Sequence, residues 1–102
     1  MNAPSSASPR LAAYRKLIDA LDSRIVALLN RRAVLAQKIG EEKKRDRQKV
    51  YEPGREQQVL DTVEAFRHAP LDREGLARIY KAIMLTMRLL QKADKPKNRR
   101  AG

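Results

Sequence analysis

Residues 11–45 read LAAYRKLIDALDSRIVALLNRRAVLAQKIGEEKKR, and this stretch decides the fold. Its large apolar residues alternate three and four positions apart with one gap, which is the heptad pattern of an amphipathic helix. They are Leu11, Tyr14, Ile18, Leu21, Ile25, Leu28, Leu35 and Ile39. Pro9 suits the first turn of a helix, and no further proline follows before residue 53. We predict one helix from near Pro9 to about Arg45, roughly 50 Å long.

Two shorter helices are predicted after it. The second opens around Glu52 and Pro53, because proline is favoured in a first helical turn. Its predicted buried face carries Val59, Leu60, Val63 and Phe66. The sequence His68-Ala69-Pro70 ends it, and Asp72 is a suitable N-cap for the third helix. The apolar stripe of the third helix comprises Leu76, Ile79, Tyr80, Ile83, Met84, Met87 and Leu90.

Composition narrows the class of protein. The chain has 102 residues, 4% aromatic residues, no Cys and one His, His68. This length suits one domain, and the scarcity of aromatic residues disfavours a strand-rich fold. Without Cys or a group of His residues, neither thiol chemistry nor a metal site is expected, and no cofactor is predicted. We predict an all-α cytoplasmic protein without a signal peptide or membrane span.

The chain is expected to divide into three segments. Residues 1–9 are predicted to be disordered, residues 10–92 to form the folded domain, and residues 93–102 to form a basic flexible tail. The net charge of +11 indicates an anionic partner. Much of the excess falls in that tail and in a second cluster over residues 43–49.

A helix as long as the first cannot bury its whole apolar face against two shorter ones. Its far end would expose Leu and Ile side chains to water. A second copy of the chain would cover them. We therefore predict an intertwined homodimer in which the long helices pair antiparallel about a two-fold axis.

The gap in the heptad pattern falls at Arg32, where an apolar residue is expected. Such an arginine either extends to solvent, pairs with a structural carboxylate, or binds an anionic ligand. Lys43 lies eleven residues later, so that the two cations would share one helix face ~16 Å apart and bracket an anion. Arg15 is too far along the helix to join them within one chain, but in an antiparallel dimer the partner's Arg15 would close the pocket.

Three further polar positions are candidates. Glu52 and Glu56 stand one turn apart at the start of the second helix, with Arg55 between them. Carboxylates at that place are also common as partners of the helix dipole. Gln91 extends the stripe of the third helix, where its amide is either solvated or directed into a pocket as a hydrogen-bond donor.

Taken together, these strings resemble the all-helical chorismate mutases. The match covers roughly residues 10–92, in order and at the family's spacing. It rests on RKLIDALD at 15–22, LLNRR at 28–32, IGEEK at 39–43, VYEPGRE at 50–56, IYKAIM at 79–84 and Leu90-Gln91.

The resemblance implies a monofunctional chorismate mutase, an isomerase that converts chorismate to prephenate in phenylalanine and tyrosine biosynthesis. It implies a homodimer with shared active sites. By position, Arg32 and the partner's Arg15 would bind the substrate's two carboxylates. Lys43 would bind a carboxylate and the ether oxygen, and Gln91 would donate to that oxygen from the other side. Glu56 would accept the ring hydroxyl, with Glu52 nearby, and Arg55 would support the carboxylate end.

One position departs from the family pattern. Met87 is placed among the substrate-binding residues by its position, where the family often carries a small hydroxyl residue directed at the substrate. A hydrogen bond to a substrate carboxylate is then missing, unless Thr86 supplies one by another route.

Two alternative functions remain open from the sequence. An isochorismate pyruvate-lyase, or a mutase acting on aminodeoxychorismate, would use a similar cationic pocket on the same fold. A basic helical nucleic-acid-binding or adaptor protein would explain the net charge, but it leaves the cation at Arg32 without a role. Nucleic-acid binding is therefore disfavoured, and any regulatory protein partner stays unidentified.

Overall fold

The computed structural model describes residues 8–93, which form three α-helices in the order long, short, medium. Helix α1 spans Pro9–Arg45, α2 spans Pro53–Glu64 and α3 spans Arg73–Lys92, and no strand occurs within the described range. The predicted all-α class and the order of the helices are confirmed. Most of the predicted N-terminal segment and tail, residues 1–7 and 94–102, lies outside the described residues.

Local sequence explains where the helices begin. The Ser8 hydroxyl accepts a hydrogen bond from the Leu11 N–H at 3.0 Å, which satisfies a free donor of the first turn of α1. Pro53 opens α2, where its missing N–H costs nothing. The Asp72 carboxylate caps α3 by accepting from the Gly75 N–H at 2.6 Å, as the sequence predicted.

A left-handed residue ends α1. Arg47 has φ of 59°, and the N–H of Gln48 reaches back to the Lys43 carbonyl at 2.7 Å. This is the bond pattern of a Schellman C-cap, in which one residue past the helix adopts the left-handed conformation. The chain reverses there, and the loop that follows returns alongside the last turn of α1.

The chain comprises two compact units, of which the first ends at Arg32 and the second begins at Ala33. In the first unit the apolar row of α1 faces solvent: its large members are each between 40% and 60% exposed. These are Leu11, Tyr14, Ile18, Leu21, Ile25 and Leu28. None of the described residues of this unit, 8–32, covers them, so the apolar face of this part of α1 is exposed.

The second unit contains the core. The rest of α1 supplies Ala36, α2 supplies Leu60 and Val63, and α3 supplies its own apolar stripe. The buried residues of that stripe are Leu76, Met84 and Met87. At Gly40, α1 approaches α3 so closely that an added Cβ would lie 2.9 Å from the Cα of Gln91. Glycine is needed there because any side chain would strike backbone.

Two residues that were predicted to be buried on the second and third helices are exposed. Phe66 was predicted on the buried face of the second helix, but α2 ends at Glu64 and Phe66 is 63% exposed. Phe66 lies beyond the end of the helix, so the helical periodicity that predicted its burial does not apply to it. Ile79 is 47% exposed because it lies at the edge of the stripe, away from the direction of Leu76, Met84 and Met87.

Within residues 8–93, none of the helices is long and apolar enough to cross a membrane.

Candidate active site

Lys43 lies in the last turns of α1 and is 8% exposed. Among residues 8–93 it is the only polar or charged side chain in the buried class. A buried ammonium is costly unless its three donors are satisfied. Its Nζ donates to the Val50 carbonyl at 2.8 Å and to Gln91 Oε1 at 3.1 Å, and pairs with Glu52 Oε1 at 2.7 Å. All three donors therefore have acceptors.

The loop after α1 brings two of these acceptors to the lysine. The reversal at Arg47 lets residues 48–52 run back along α1, so that the Val50 carbonyl meets a side chain seven residues earlier. Glu52 is the N-cap residue of α2 but makes no side-chain cap bond. Its carboxylate turns to Lys43 instead. Ionic pairing with a buried lysine thus replaces ordinary helix capping at this residue.

The lysine also fixes the orientation of the Gln91 amide. An ammonium only donates hydrogen bonds, so the amide oxygen must face Lys43 and the amide nitrogen must face away from it. The amide N–H groups are then the part of Gln91 that can donate to a ligand. The close approach at Gly40 holds the backbone of Gln91 against α1 and so sets the position of this donor.

A second ion pair lies one turn further along α2. Arg88 Nε donates to Glu56 Oε2 at 3.1 Å, and its Nη2 donates to Glu56 Oε1 at 3.4 Å. Both side chains are about one quarter exposed. The guanidinium carbon of Arg88 also lies 4.4 Å from the centre of the Tyr51 ring. That distance is within the range of a cation–π contact.

Helical spacing joins these two pairs into one arrangement. Glu52 and Glu56 are one turn apart at the start of α2, and Arg88 and Gln91 are one turn apart at the end of α3. The Lys43 contacts and the second ion pair therefore lie one helical turn apart along both α2 and α3. The site combines two cations, two carboxylates and one neutral amide.

Two of the predicted site residues have other surroundings. Arg55 is exposed, and its Nη1 donates to Gln58 Oε1 on the same helix at 2.7 Å. Met87 is 5% exposed and belongs to the core. The neighbouring Thr86 hydroxyl donates to the Ala82 carbonyl at 2.9 Å and is exposed. The predicted ligand contacts of Arg55 and Met87 stay predictions.

Arg15 and Arg32 both belong to the first unit of the chain. Arg15 is exposed on α1, and Arg32 is half-buried. Their predicted roles in substrate binding also stay predictions.

A groove of about 390 Å³ runs beside the end of α1 in the second unit. Leu35 and Ile39 give it an apolar side, and Lys43 and Gln48 belong to its polar lining. This size lies within the range of small-molecule sites. Over residues 8–93 no group of three or more His, Asp or Glu side chains is arranged to hold a metal ion.

Sequence reasoning missed Arg88 and Tyr51. Tyr51 stood inside a quoted motif but was given no role. Arg88 follows Met84 by four residues and precedes Gln91 by three, so it is a cation at the margin of an apolar stripe. The criterion that singled out Arg32, a cation on a helix face that should be apolar, would have found Arg88 as well.

The fold and the site together define a class of protein: a small all-helical protein in which a buried lysine holds an oriented amide and borders a groove of small-molecule size. Comparison with known proteins narrows this class. The family model for chorismate mutase type II matches residues 14–92, which is most of the chain. The chain belongs to this family.

Curated relatives agree with the assignment. The chain is 37% identical over 84 residues to a bifunctional chorismate mutase/prephenate dehydratase of Stutzerimonas stutzeri, covering 78% of this chain and 23% of that protein. It is 39% identical over 74 residues to the protein of the same name from Neisseria gonorrhoeae, covering 72% of this chain and 20% of that protein. The chain thus spans about a fifth to a quarter of the length of these relatives.

A solved structure is similar over most of both chains. It is the crystal structure of chorismate mutase from Helicobacter pylori in complex with prephenate. The TM-score is 0.78 at 30% sequence identity, and the match covers 83% of this chain and 92% of that one. The family that the sequence resembled is confirmed.

Proposed function

We propose that this chain is a chorismate mutase, an isomerase that rearranges chorismate to prephenate by a [3,3] shift. One observation carries the proposal: Lys43 is buried beside the oriented amide of Gln91. Membership of the family and the likeness to a structure that holds prephenate support it. In the reaction the ether carbon–oxygen bond breaks as a carbon–carbon bond forms, with no proton transfer and no nucleophile.

The residues suit the demands of such a reaction. Catalysis must select a compact conformer of the substrate and stabilise negative charge that develops on the ether oxygen. Lys43 and the Gln91 amide are preorganised donors for that charge, and neither needs to change its protonation state. Their mutual hydrogen bond fixes both before the substrate arrives.

Lys43 must exchange one of its partners to bind the substrate, because all three of its donors are already in use. Lys43 has two side-chain partners, the Glu52 carboxylate and the Gln91 amide. Glu52 is the more exposed of the two, with its side chain 49% exposed. Water can therefore solvate the released carboxylate at small cost. In this proposal a substrate oxygen replaces Glu52 at Lys43, while the Val50 and Gln91 contacts remain.

Additional cations are needed for a dianionic substrate. Arg88 stays paired with Glu56, and Lys43 supplies only the one donor released by Glu52, so the two substrate carboxylates need further partners. We assign the substrate's carboxylates to Arg32 and to the partner's Arg15, with Arg55 in support. Glu56 accepts the hydrogen bond of the ring hydroxyl, and Met87 contributes only apolar contact.

The proposal includes an antiparallel homodimer. The exposed row on α1 within the first unit supports it, because six large apolar side chains at heptad spacing are unusual on a monomer's surface. A second copy would bury that row and would bring Arg15 of the partner subunit to the site. The cytoplasmic location belongs to the same proposal.

The direct test is a chorismate-to-prephenate assay on purified protein, combined with a measurement of its mass in solution. We expect prephenate as the product and a mass twice the 11.7 kDa of one chain. Isochorismate, assayed in parallel for the release of pyruvate and salicylate, separates the mutase from the lyase on the same fold. Salicylate formation without prephenate formation would overturn the proposal.

A further inference from the structure

The Glu56–Arg88 ion pair is the one among the described pairs in which both side chains are about a quarter exposed. In the Arg45–Glu42 pair both side chains are more than 60% exposed, whereas in Glu56–Arg88 both are about a quarter exposed. Exposed pairs contribute little, because water competes for both charges and the side chains are free to move. Partial burial restricts the movement of the Glu56 and Arg88 side chains and limits competition from water, so their geometry is better defined.

Three segments of the chain converge on the Arg88 guanidinium. It belongs to α3, two of its three nitrogens donate to the two oxygens of Glu56 on α2, and the Tyr51 ring of the loop lies over it. The planar guanidinium is suited to this two-point, fork-like contact, which fixes the plane of the carboxylate as well as its distance. Each carboxylate oxygen keeps a second lone pair, so Glu56 can still accept from a ligand.

We propose that Arg88 is a positioning residue that holds Glu56 in the orientation needed to accept the substrate's ring hydroxyl. The inference rests on the proposed function. Arg88 acts through Glu56 rather than on the reacting atoms, because its Nε and Nη2 are committed to the carboxylate. It thereby makes the site selective for substrates that carry a hydroxyl at this place on the ring.

A double-mutant cycle tests this role. We would measure kcat/KM for chorismate in the wild type, Arg88→Met, Glu56→Gln and the double variant. Each single change should lower kcat/KM about tenfold, which corresponds to losing or misplacing one charge-assisted hydrogen bond. The double variant should be only about as impaired as Glu56→Gln alone, since coupled residues are not additive. Arg88→Lys keeps the charge without the fork and should fall between the wild type and Arg88→Met.

Arg73→Met is the matched control. Arg73 pairs with Glu64 and also joins α3 to α2, but at the opposite ends of these helices and with a side chain 75% exposed. It should leave kcat/KM unchanged. A substrate analogue without the ring hydroxyl gives a second readout: Arg88→Met and the wild type should convert it at the same rate. If Arg88→Met does not fold, as judged by thermal unfolding, Arg88→Gln takes its place in the cycle.

The outcomes separate this role from the proposed function. A wild type inactive on chorismate would refute the proposed function itself. An active wild type whose Arg88→Met variant is equally active would refute only the role of Arg88. The role of Arg88 would also be refuted if Arg88→Met lowered kcat/KM tenfold in the Glu56→Gln background, or tenfold with the hydroxyl-free analogue.

Discussion

At the scale of single residues, the site depends on how one buried charge is satisfied. Lys43 lies among the Val50 carbonyl, the Gln91 amide and the Glu52 carboxylate, all within 3.1 Å of its Nζ. Two of these partners come from a loop and a helix start that directly follow α1, and the third comes from the end of α3. The proposed catalytic donor is thus held in place by a backbone carbonyl, an amide and a carboxylate.

Replacing this lysine tests its proposed role. Lys43→Ala should lower kcat for chorismate by at least about two orders of magnitude, since loss of one preorganised donor to developing charge costs roughly 3–4 kcal/mol. Stability should change much less, because the Glu52 side chain is half exposed and water can solvate it. Lys81→Ala, at an exposed position of α3, is the control. Near-wild-type turnover in Lys43→Ala would remove this residue from the mechanism.

Gln91 leads to a prediction about pH. Its amide does not titrate, so activity should be nearly flat from about pH 6 to 9. In Gln91→Glu the new carboxyl must carry a proton to donate to the ether oxygen, so the active form exists at low pH and is lost as the pH rises. The variant should therefore lose activity steadily with increasing pH, as followed by initial rates. A steep loss in the wild type between pH 6 and 8 would contradict this account.

At the scale of elements, α1 packs against the end of α3 at one glycine, Gly40. A Cβ on residue 40 would lie 2.9 Å from both the Cα and the carbonyl oxygen of Gln91. These are backbone atoms, so neither can rotate away as a side chain would. The same contact that allows close packing therefore also places the Gln91 amide.

Gly40→Ala should destabilise the fold and impair the site together. Overpacking of this kind costs about 1–3 kcal/mol, which exceeds the gain of about 1 kcal/mol from alanine's higher helix propensity. Gly54→Ala is the matched control, because nothing lies within 4 Å of an added Cβ there. Urea unfolding should give a lower midpoint for the first variant and an equal or higher one for the second. Equal midpoints for Gly40→Ala and the wild type would show that the helices separate at no cost.

At the scale of the whole molecule, the apolar row of the first unit stays exposed to solvent in a single chain, over the residues that the structure describes. Its six members are already about half covered, so burying the rest of each would contribute roughly half of the 1.5–3 kcal/mol that a fully exposed side chain gains. That gain is the physical basis of the proposed dimer. It also links assembly to catalysis, because Arg15 is assigned to the active site of the other subunit.

A charge placed in this row should separate the subunits. Ile25→Asp puts a carboxylate in the middle of the row and should give the mass of a single chain by light scattering, with mutase activity lost. Ser23→Asp introduces the same charge about 200° around the helix, on the other face, and should stay dimeric and active. A dimer that survives Ile25→Asp would show that the subunits associate through another surface.

The sequence by itself determined the helices and the family. Heptad spacing and the lack of a proline predicted α1 from near Pro9 to about Arg45, and Pro53 and Asp72 marked the starts of α2 and α3, because periodicity and capping are local properties. Local patterns do not say which polar groups from distant segments meet. Only the tertiary structure joined Lys43 to Glu52 and Gln91 and paired Arg88 with Glu56. These contacts depend on the reversal at Arg47 and the close approach at Gly40, where backbone conformation and packing decide which side chains come within hydrogen-bonding distance.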